Sequence, residues 1–315
     1  MARPLKIAIV QKTAIYLDLV RSVTLALEII DECATRGAQL VVFGECWLTG
    51  YPAWIDHSTD YTRWDDPVTK SVFQKMYANS VKVDGDEIRA ICDATRERNI
   101  CICIGINEVN NAQTGTIYNS VLIIDQGNIL LHHQKLIPTY TEKLLYGQGD
   151  GRGLRAVDTS VGRIGALICW EHWMPLARQA MHMSGEEIHI ALWPQVHDML
   201  QIASRHYAFE GRCIVVAAGQ LMKADQMPTE LKLKADPETL LLNGGSCIVG
   251  AHGKYLMEPD TSCEDVLYYQ IEDLDTIYGE KMTLDVSGHY QRDDVFEFAI
   301  KNQSSGIYNL DSRRL

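Results

Sequence analysis

Three apolar runs in this 315-residue chain end on side chains that could do chemistry together. "LVVFGE" ends at Glu45, "NILLHHQK" at Lys135 and "RIGALIC" at Cys169. A thiol attacks only as the thiolate, and at an ordinary pKa of about 8.5 it is mostly protonated near neutrality. Handing its proton to a glutamate of pKa about 4.3 costs roughly 6 kcal/mol, at about 1.4 kcal/mol per unit. Burial raises a carboxylate's pKa and a nearby ammonium favours the thiolate, so both effects shrink that gap. The ammonium can then stabilise charge developing on the attacked group. Nucleophile, base and stabiliser are available without a histidine. Each residue also has a plain reading. Cysteine is a common small hydrophobe of cores, and a charge after an apolar run is often where the chain reaches water.

Other chemistries fit less well. The glycine-rich "GQGDGRG" (Gly147 to Gly153) admits no G-x-G-x-x-G and follows a polar stretch, not a strand. There is no phosphate-loop motif and no G-x-S-x-G elbow. The ten histidines never form H-E-x-x-H, and His132-His133 would face opposite sides of a strand. A metal site is not expected.

The elements that must position these residues alternate along the chain. Lys6 to Gln11 reads as a first strand, followed by a helix with Leu19, Val20, Val23, Leu27, Ile30 and Ala34 on its apolar face and Gly37 at its end. Asp84 is the expected cap of a helix bearing Ile88, Ile91, Cys92 and Thr95. "ICICIG" puts Cys101 and Cys103 on one strand face, where packing is the simpler reading. "TIYNSVLIID" and "NILLHHQK" outline a hairpin turning at Asp125 to Asn128. Further strands fall at "IHIALWP", "CIVVAAG", "GSCIVGAHGKYLM" and "VLYYQIED", with helices near Met174–Ser184 and Met199–Gly211. Such mixing of βα units and hairpins predicts a layered α/β or α+β fold. With no linker or repeat, one domain over 1–315 is expected, with a tail from about 285.

Composition sets the class. With 46% hydrophobic and 22% charged residues the chain reads as a soluble globular protein. No apolar run approaches the roughly 18 residues of a membrane span, and the N-terminal run is too short for a signal peptide. Nine cysteines without framework spacing predict reduced thiols in a cytoplasm. The net charge of -12 argues against nucleic acid or anionic membranes as partners.

Longer motifs around the three strand ends resemble the nitrilase superfamily, in its true nitrilase branch. "FGECWLTGYP" (Phe43 to Pro52) resembles the segment of that family's catalytic glutamate, which falls on Glu45. "HHQKLIPTYTEKLLYGQGDG" (His132 to Gly151) resembles the lysine segment, placing the lysine on Lys135 and a second glutamate on Glu142. "LICWEHWMPLAR" (Leu167 to Arg178) resembles the nucleophile segment, placing the nucleophile on Cys169. "DVSGHYQRDDVF" (Asp285 to Phe296) resembles a C-terminal element. The pattern departs at Gln134, where arginine is frequent, and at Tyr146, where tryptophan is. Both departures bear on the pocket.

The resemblance implies an α-β-β-α sandwich whose protomers pair through helical faces, often in larger spirals. It implies hydrolysis of a small-molecule nitrile to acid and ammonia, with no cofactor. Cys169 would attack, Glu45 relay protons, Lys135 stabilise tetrahedral states and Glu142 orient lysine and substrate. Tyr51, Thr139, Tyr146, Trp170 and Trp193 are the expected substrate-contacting residues, although Trp193 reads equally as a core aromatic. Cys46 reads as packing. Rival readings are an amidase or carbamoylase, a cyanide-hydrolysing enzyme, or a binding protein on the same scaffold.

Overall fold

A sheet whose faces are both apolar must be covered on both sides, and that requirement dictates the layers. The computed structural model describes residues 2–57, 64–110, 114–231, 233 and 235–301. Its strands are β1 (Leu5–Val10), β2 (Leu40–Phe43), β3 (Cys101–Val109), β4 (Ile117–Asp125), β5 (Asn128–Gln134), β6 (Val157–Thr159), β7 (Gly162–Ile168), β8 (Ile188–Leu192), β9 (Ile214–Ala218), β10 (Leu221–Lys223), β11 (Leu240–Asn243), β12 (Ser246–Val249), β13 (Tyr255–Asp260) and β14 (Val266–Ile271). Its helices are α1 (Leu19–Thr35), α2 (Trp54–His57), α3 (Pro67–Ala78), α4 (Asp86–Arg98), α5 (Pro175–Met183), α6 (Asp198–Gly211) and α7 (Thr276–Lys281).

Two sheets form, ordered β14-β1-β2-β3-β4-β5 and β13-β12-β9-β8-β7-β6, with β10 and β11 paired separately. In the first, β1, β2 and β3 run parallel. Two antiparallel reversals follow at β4 and β5, so β5 ends on the same side as β2. Gln126 and Gly127 make the second reversal, both at positive φ (49° and 87°), as a tight two-residue hairpin requires. In the second sheet β7, β8 and β9 are parallel.

The faces segregate as the pleat demands. Ile7, Ile9, Val42, Cys101, Cys103 and Val121 share a buried cluster with Ile164, Ala166, Ile168, Ile190 and Val216, which joins the two sheets. Ala8, Val10, Val41, Ile102 and Ile104 point the other way, onto Ala26, Ile30 and Cys33 of α1 and Ile88 and Ile91 of α4. Ala177 and Met181 of α5 and Leu200, Ala203 and Tyr207 of α6 cover the second sheet. The order is helix, sheet, sheet, helix, the four-layer α-β-β-α sandwich.

Two local expectations shift. The buried face of α1 is Ser22, Ala26, Ile29, Ile30 and Cys33, while Val20 is 76% exposed. Small side chains in the centre of that face let the helix approach the sheet, and the larger Leu19, Val23 and Leu27 flank it. Gly85, not Asp84, is the N-cap of α4, because the chain turns through Gly85 N–H to the Lys82 carbonyl and starts the helix at Asp86. Asp86 and Glu87 then place negative charge in the first turn, where the helix dipole favours it.

No helix among the described residues is long and apolar enough to cross a membrane. From Asp285 to residue 301 the chain forms neither helix nor strand, and Ile300 comes back against Gly151. Residues 302–315 of the expected domain lie outside the described residues.

Candidate active site

Cys169 follows β7 directly and opens a short 3-10 turn, with its backbone in the left-handed region at φ 54°. Glu45 stands two residues beyond β2, and Lys135 one beyond β5. Strand ends from both sheets thus converge. The Glu45 loop is wedged against β3 at Gly105. A Cβ there would meet the Gly44 carbonyl oxygen at 2.3 Å, the Cys46 nitrogen at 2.6 Å and the Glu45 Cα at 2.9 Å. The Gln220 amide fixes the loop further, donating to the Glu45 carbonyl at 2.7 Å.

Lys135 is the hub. Its ammonium donates to Glu45 Oε1 at 3.0 Å and to Glu142 Oε2 at 2.7 Å. Asn119, on β4, donates its amide to Glu45 Oε1 at 2.7 Å. Glu142 lies on the 3-10 turn Tyr140–Leu144, which folds back so that Oε2 also accepts the Thr139 N–H at 2.8 Å. The Tyr51 hydroxyl donates to its Oε1 at 2.9 Å. One carboxylate oxygen of each glutamate and the Cys169 sulfur lie within 4.8 Å of one another. All four side chains are buried. That donor set could suit a cation, but the Lys135 ammonium already holds both carboxylates. Glu45 Oε2 is buried with no hydrogen-bond partner among the described residues, free to take a proton.

Burial dominates the electrostatics. It pushes the Glu45 carboxyl up to about 7; Lys135 pulls it down and Glu142 pushes it up further. Burial also raises the Cys169 thiol well above its ordinary value; Glu45 reinforces that and Lys135 opposes it. The expected narrowing of the proton gap therefore holds on the glutamate side and not on the cysteine side. At Lys135 burial works against the charge, but Cys169, Glu45 and Glu142 outweigh it and raise the ammonium's pKa. The resting arrangement is a thiol beside a carboxyl group that titrates near neutrality. A neutral thiol gives up its proton most readily while its sulfur is forming a bond.

A cavity of about 360 Å³ opens onto this cluster. Tyr51, Thr139, Glu142, Cys169 and Trp170 line it. Leu200, Leu241 and Leu242 add apolar wall, and Gln195 and His197 polar groups. Thr139 Oγ1 is buried and unpartnered, available to a ligand. Glu45 and Lys135 lie behind the cavity floor.

Two of the expected contact residues are not in the cavity lining. Tyr146 is buried behind the Glu45 loop, where its hydroxyl donates to Asn107 Oδ1 at 2.7 Å and lies 3.4 Å from Cys46 Sγ. Trp193 is fully buried, its ring stacked on His172 at 4.6 Å. It supports the site from behind, its carbonyl accepting the Glu45 N–H at 3.4 Å. The residues just after it, Pro194 and Gln195, line the cavity instead.

The sequence reading missed Asn119, Gln220 and the bracing role of Glu171. Asn119 was visible as a polar residue inside an otherwise apolar strand run. Glu171 accepts the backbone N–H of Leu136 and of Ile168, both at 2.8 Å, and lies 2.9 Å from His133 Nε2. It thereby ties the residue after Lys135 to the residue before Cys169.

Comparison with known proteins places the chain in a family. The carbon-nitrogen hydrolase family profile matches residues 6–278. "Nitrilase 2" from an unknown prokaryotic organism is 36% identical over 299 residues, spanning 93% of this chain and 91% of its own length. An arylacetonitrilase of Aspergillus niger is 34% identical over 307 residues, spanning 92% and 87%. The crystal structure of a carbon-nitrogen hydrolase from Helicobacter pylori G27 superposes with a TM-score of 0.72 at 18% identity, over 94% of this chain and 97% of that one, which speaks to the fold. The chain belongs to the carbon-nitrogen hydrolase family, in its nitrilase branch.

Proposed function

We propose that this protein is a nitrilase that converts an organic nitrile to the carboxylic acid and ammonia, acting as one catalytic domain. Cys169 Sγ attacks the nitrile carbon while Glu45 takes the thiol proton and passes it to the nitrile nitrogen, giving a thioimidate. Water adds next, with Glu45 as base, and the tetrahedral intermediate expels ammonia to leave a thioester. A second water releases the acid and restores the thiol. Lys135 offsets negative charge in each tetrahedral state, and Glu142 aims the ammonium while closing the cavity floor. Glu45 handles the protons and Lys135 the developing charge, so the scheme needs no cofactor.

The observation that carries this reading is the thiol set among two carboxylates bridged by one ammonium, at the floor of a cavity with a mixed polar and apolar wall. Tyr51, Thr139 and Trp170 are the substrate contacts it favours. Nine free cysteines, eight of them buried, suit a reducing compartment, and we place the enzyme in the cytoplasm. The test is ammonia release from a panel of aliphatic, aromatic and arylacetonitriles, cyanide and the matching amides. Turnover of organic nitriles is expected. Turnover of amides alone, or of cyanide alone, would replace the reading with one of its rivals, and turnover of none would leave a binding protein.

A further inference from the structure

Beneath the nucleophile turn runs a buried polar chain that the scheme above does not use. His172 Nδ1 lies 2.7 Å from the carbonyl oxygen of Cys169, and its Nε2 lies 2.9 Å from Nε2 of His189. His189 Nδ1 lies 2.8 Å from Glu186 Oε2. These three side chains are buried and none lines the cavity. The rings are held flat against aromatics, His172 on Trp193 at 4.6 Å and His189 on Tyr207 at 3.7 Å. The Tyr207 hydroxyl donates to Glu186 Oε1. Beyond it, His182 stands 3.7 Å from Glu186 and 3.1 Å from Glu210. Arg178 pairs with Glu210 and donates to the His172 carbonyl at 3.1 Å.

Proton accounting fixes the direction of this chain. A carbonyl oxygen only accepts, so His172 carries a proton on Nδ1. Between the two facing Nε2 atoms there is room for one proton. Burial raises the Glu186 carboxyl, but His189 and His182 outweigh it and hold it at about 2, so it is a carboxylate and His189 Nδ1 carries a proton toward it. Four ring nitrogens hold three protons and one positive charge. Burial and the neighbouring His189 push His172 well below the ordinary histidine range, so its own ring stays neutral. His172 is thereby locked in a single tautomer, Nδ1–H, aimed at a residue whose left-handed backbone (φ 54°) is rare for anything but glycine.

We propose that His172, locked by His189 and Glu186, is a positioning residue for the nucleophile. Its Nδ1–H holds the Cys169 carbonyl, so that the left-handed turn persists and the sulfur faces Glu45 and Lys135. This inference rests on Cys169 being the nucleophile.

Two substitutions separate positioning from bulk support. In His172→Asn the side-chain amide nitrogen falls close to the former Nδ1 and can still donate to the Cys169 carbonyl. In His172→Gln it reaches the former Nε2 and cannot. The readout is the rate of Cys169 alkylation by iodoacetamide, followed by peptide mass, together with kcat and KM on a nitrile. His172→Gln should slow alkylation and kcat by about tenfold or more, the scale of a lost backbone constraint, with KM nearly unchanged because the cavity wall is intact. His172→Asn should recover most of both rates. Equal alkylation rates in the two folded variants would overturn the proposal. A 15N spectrum of histidine-labelled wild-type protein tests it without any variant. His172 is expected neutral with the proton on Nδ1, and an unprotonated Nδ1 would overturn the proposal. Alkylation needs no nitrile, so a protein that turns over nitriles yet shows equal rates loses this inference and keeps its proposed function. Nitrile turnover surviving in Cys169→Ala would instead remove the proposed function.

Discussion

Glu45 and Cys169 are both raised by burial, and that shared shift sets how the site should respond to pH. In the proposed scheme Glu45 is the base and must be ionised, and its pKa of about 7 means that it gains a proton as pH falls through neutrality. kcat/KM for an uncharged nitrile should therefore drop along an acid limb centred near 7 and level off above it. A profile flat down to about pH 5 would assign the base elsewhere. Cys169→Ala exchanges one small buried side chain for another and should give a folded protein without turnover, read by circular dichroism and ammonia release. Glu142→Gln keeps shape and loses charge, leaving Lys135 with one carboxylate; turnover should fall at least about 100-fold, or roughly 3 kcal/mol. Glu142→Asp should also be severely impaired, because the carboxylate retracts from Lys135 and the Thr139 N–H. Folded variants within a few-fold of wild type would take Glu142 out of the site. At this scale the sequence was legible where chemistry-bearing residues sat at the ends of apolar runs. Asn119 showed only as a polar residue within a strand run and Gln220 not at all, because an amide carries no signal of where it points. Trp193, which read equally as a pocket residue or a core aromatic, took the second place: neighbouring residues face opposite ways, and the ring went to His172 while the next residues reached the cavity.

The elements meet at the Glu45 loop, which packs closely against Gly105 on β3. A methyl group there must displace the backbone of Gly44, Glu45 or Cys46. Gly105→Ala should fold with a stability loss of about 1–3 kcal/mol, the usual cost of overpacking, and should lower kcat by about tenfold or more through misplacement of Glu45. Thermal melting and steady-state kinetics check this, and wild-type kcat in the folded variant would show that the loop tolerates the shift. Strands were easy to read because short continuous apolar runs and the Gln126-Gly127 turn are local signals. The central face of α1 was harder. Its contact is built from Ser22 and Ala26, whose smallness matters only once a sheet lies against them. The cap of α4 moved by one residue because the turn from Lys82 to Gly85 competes with a side-chain cap.

Over the whole molecule, the outer face of the second helical layer leaves Leu176, Met199, Ile202 and Phe209 exposed, at 72%, 57%, 61% and 47%. Exposed apolar groups favour a protein contact, and the pairing through helical faces that the family resemblance implies would cover these. Light scattering should find at least twice the 35.4 kDa of one chain, and Ile202→Glu should shift the population toward single chains. A 35.4 kDa species alone in active wild-type protein would contradict that. No sequence pattern marked this face in advance, because which side of α5 and α6 is left uncovered depends on how the layers stack. In the proposed mechanism the whole fold serves one act, bond formation at the Cys169 sulfur. Wild-type protein quenched in acid during nitrile turnover and analysed by peptide mass should carry the thioimidate or acyl group on the segment containing Cys169. Turnover of a nitrile with that peptide unmodified, and with Cys169→Ala as active as wild type, would contradict the account.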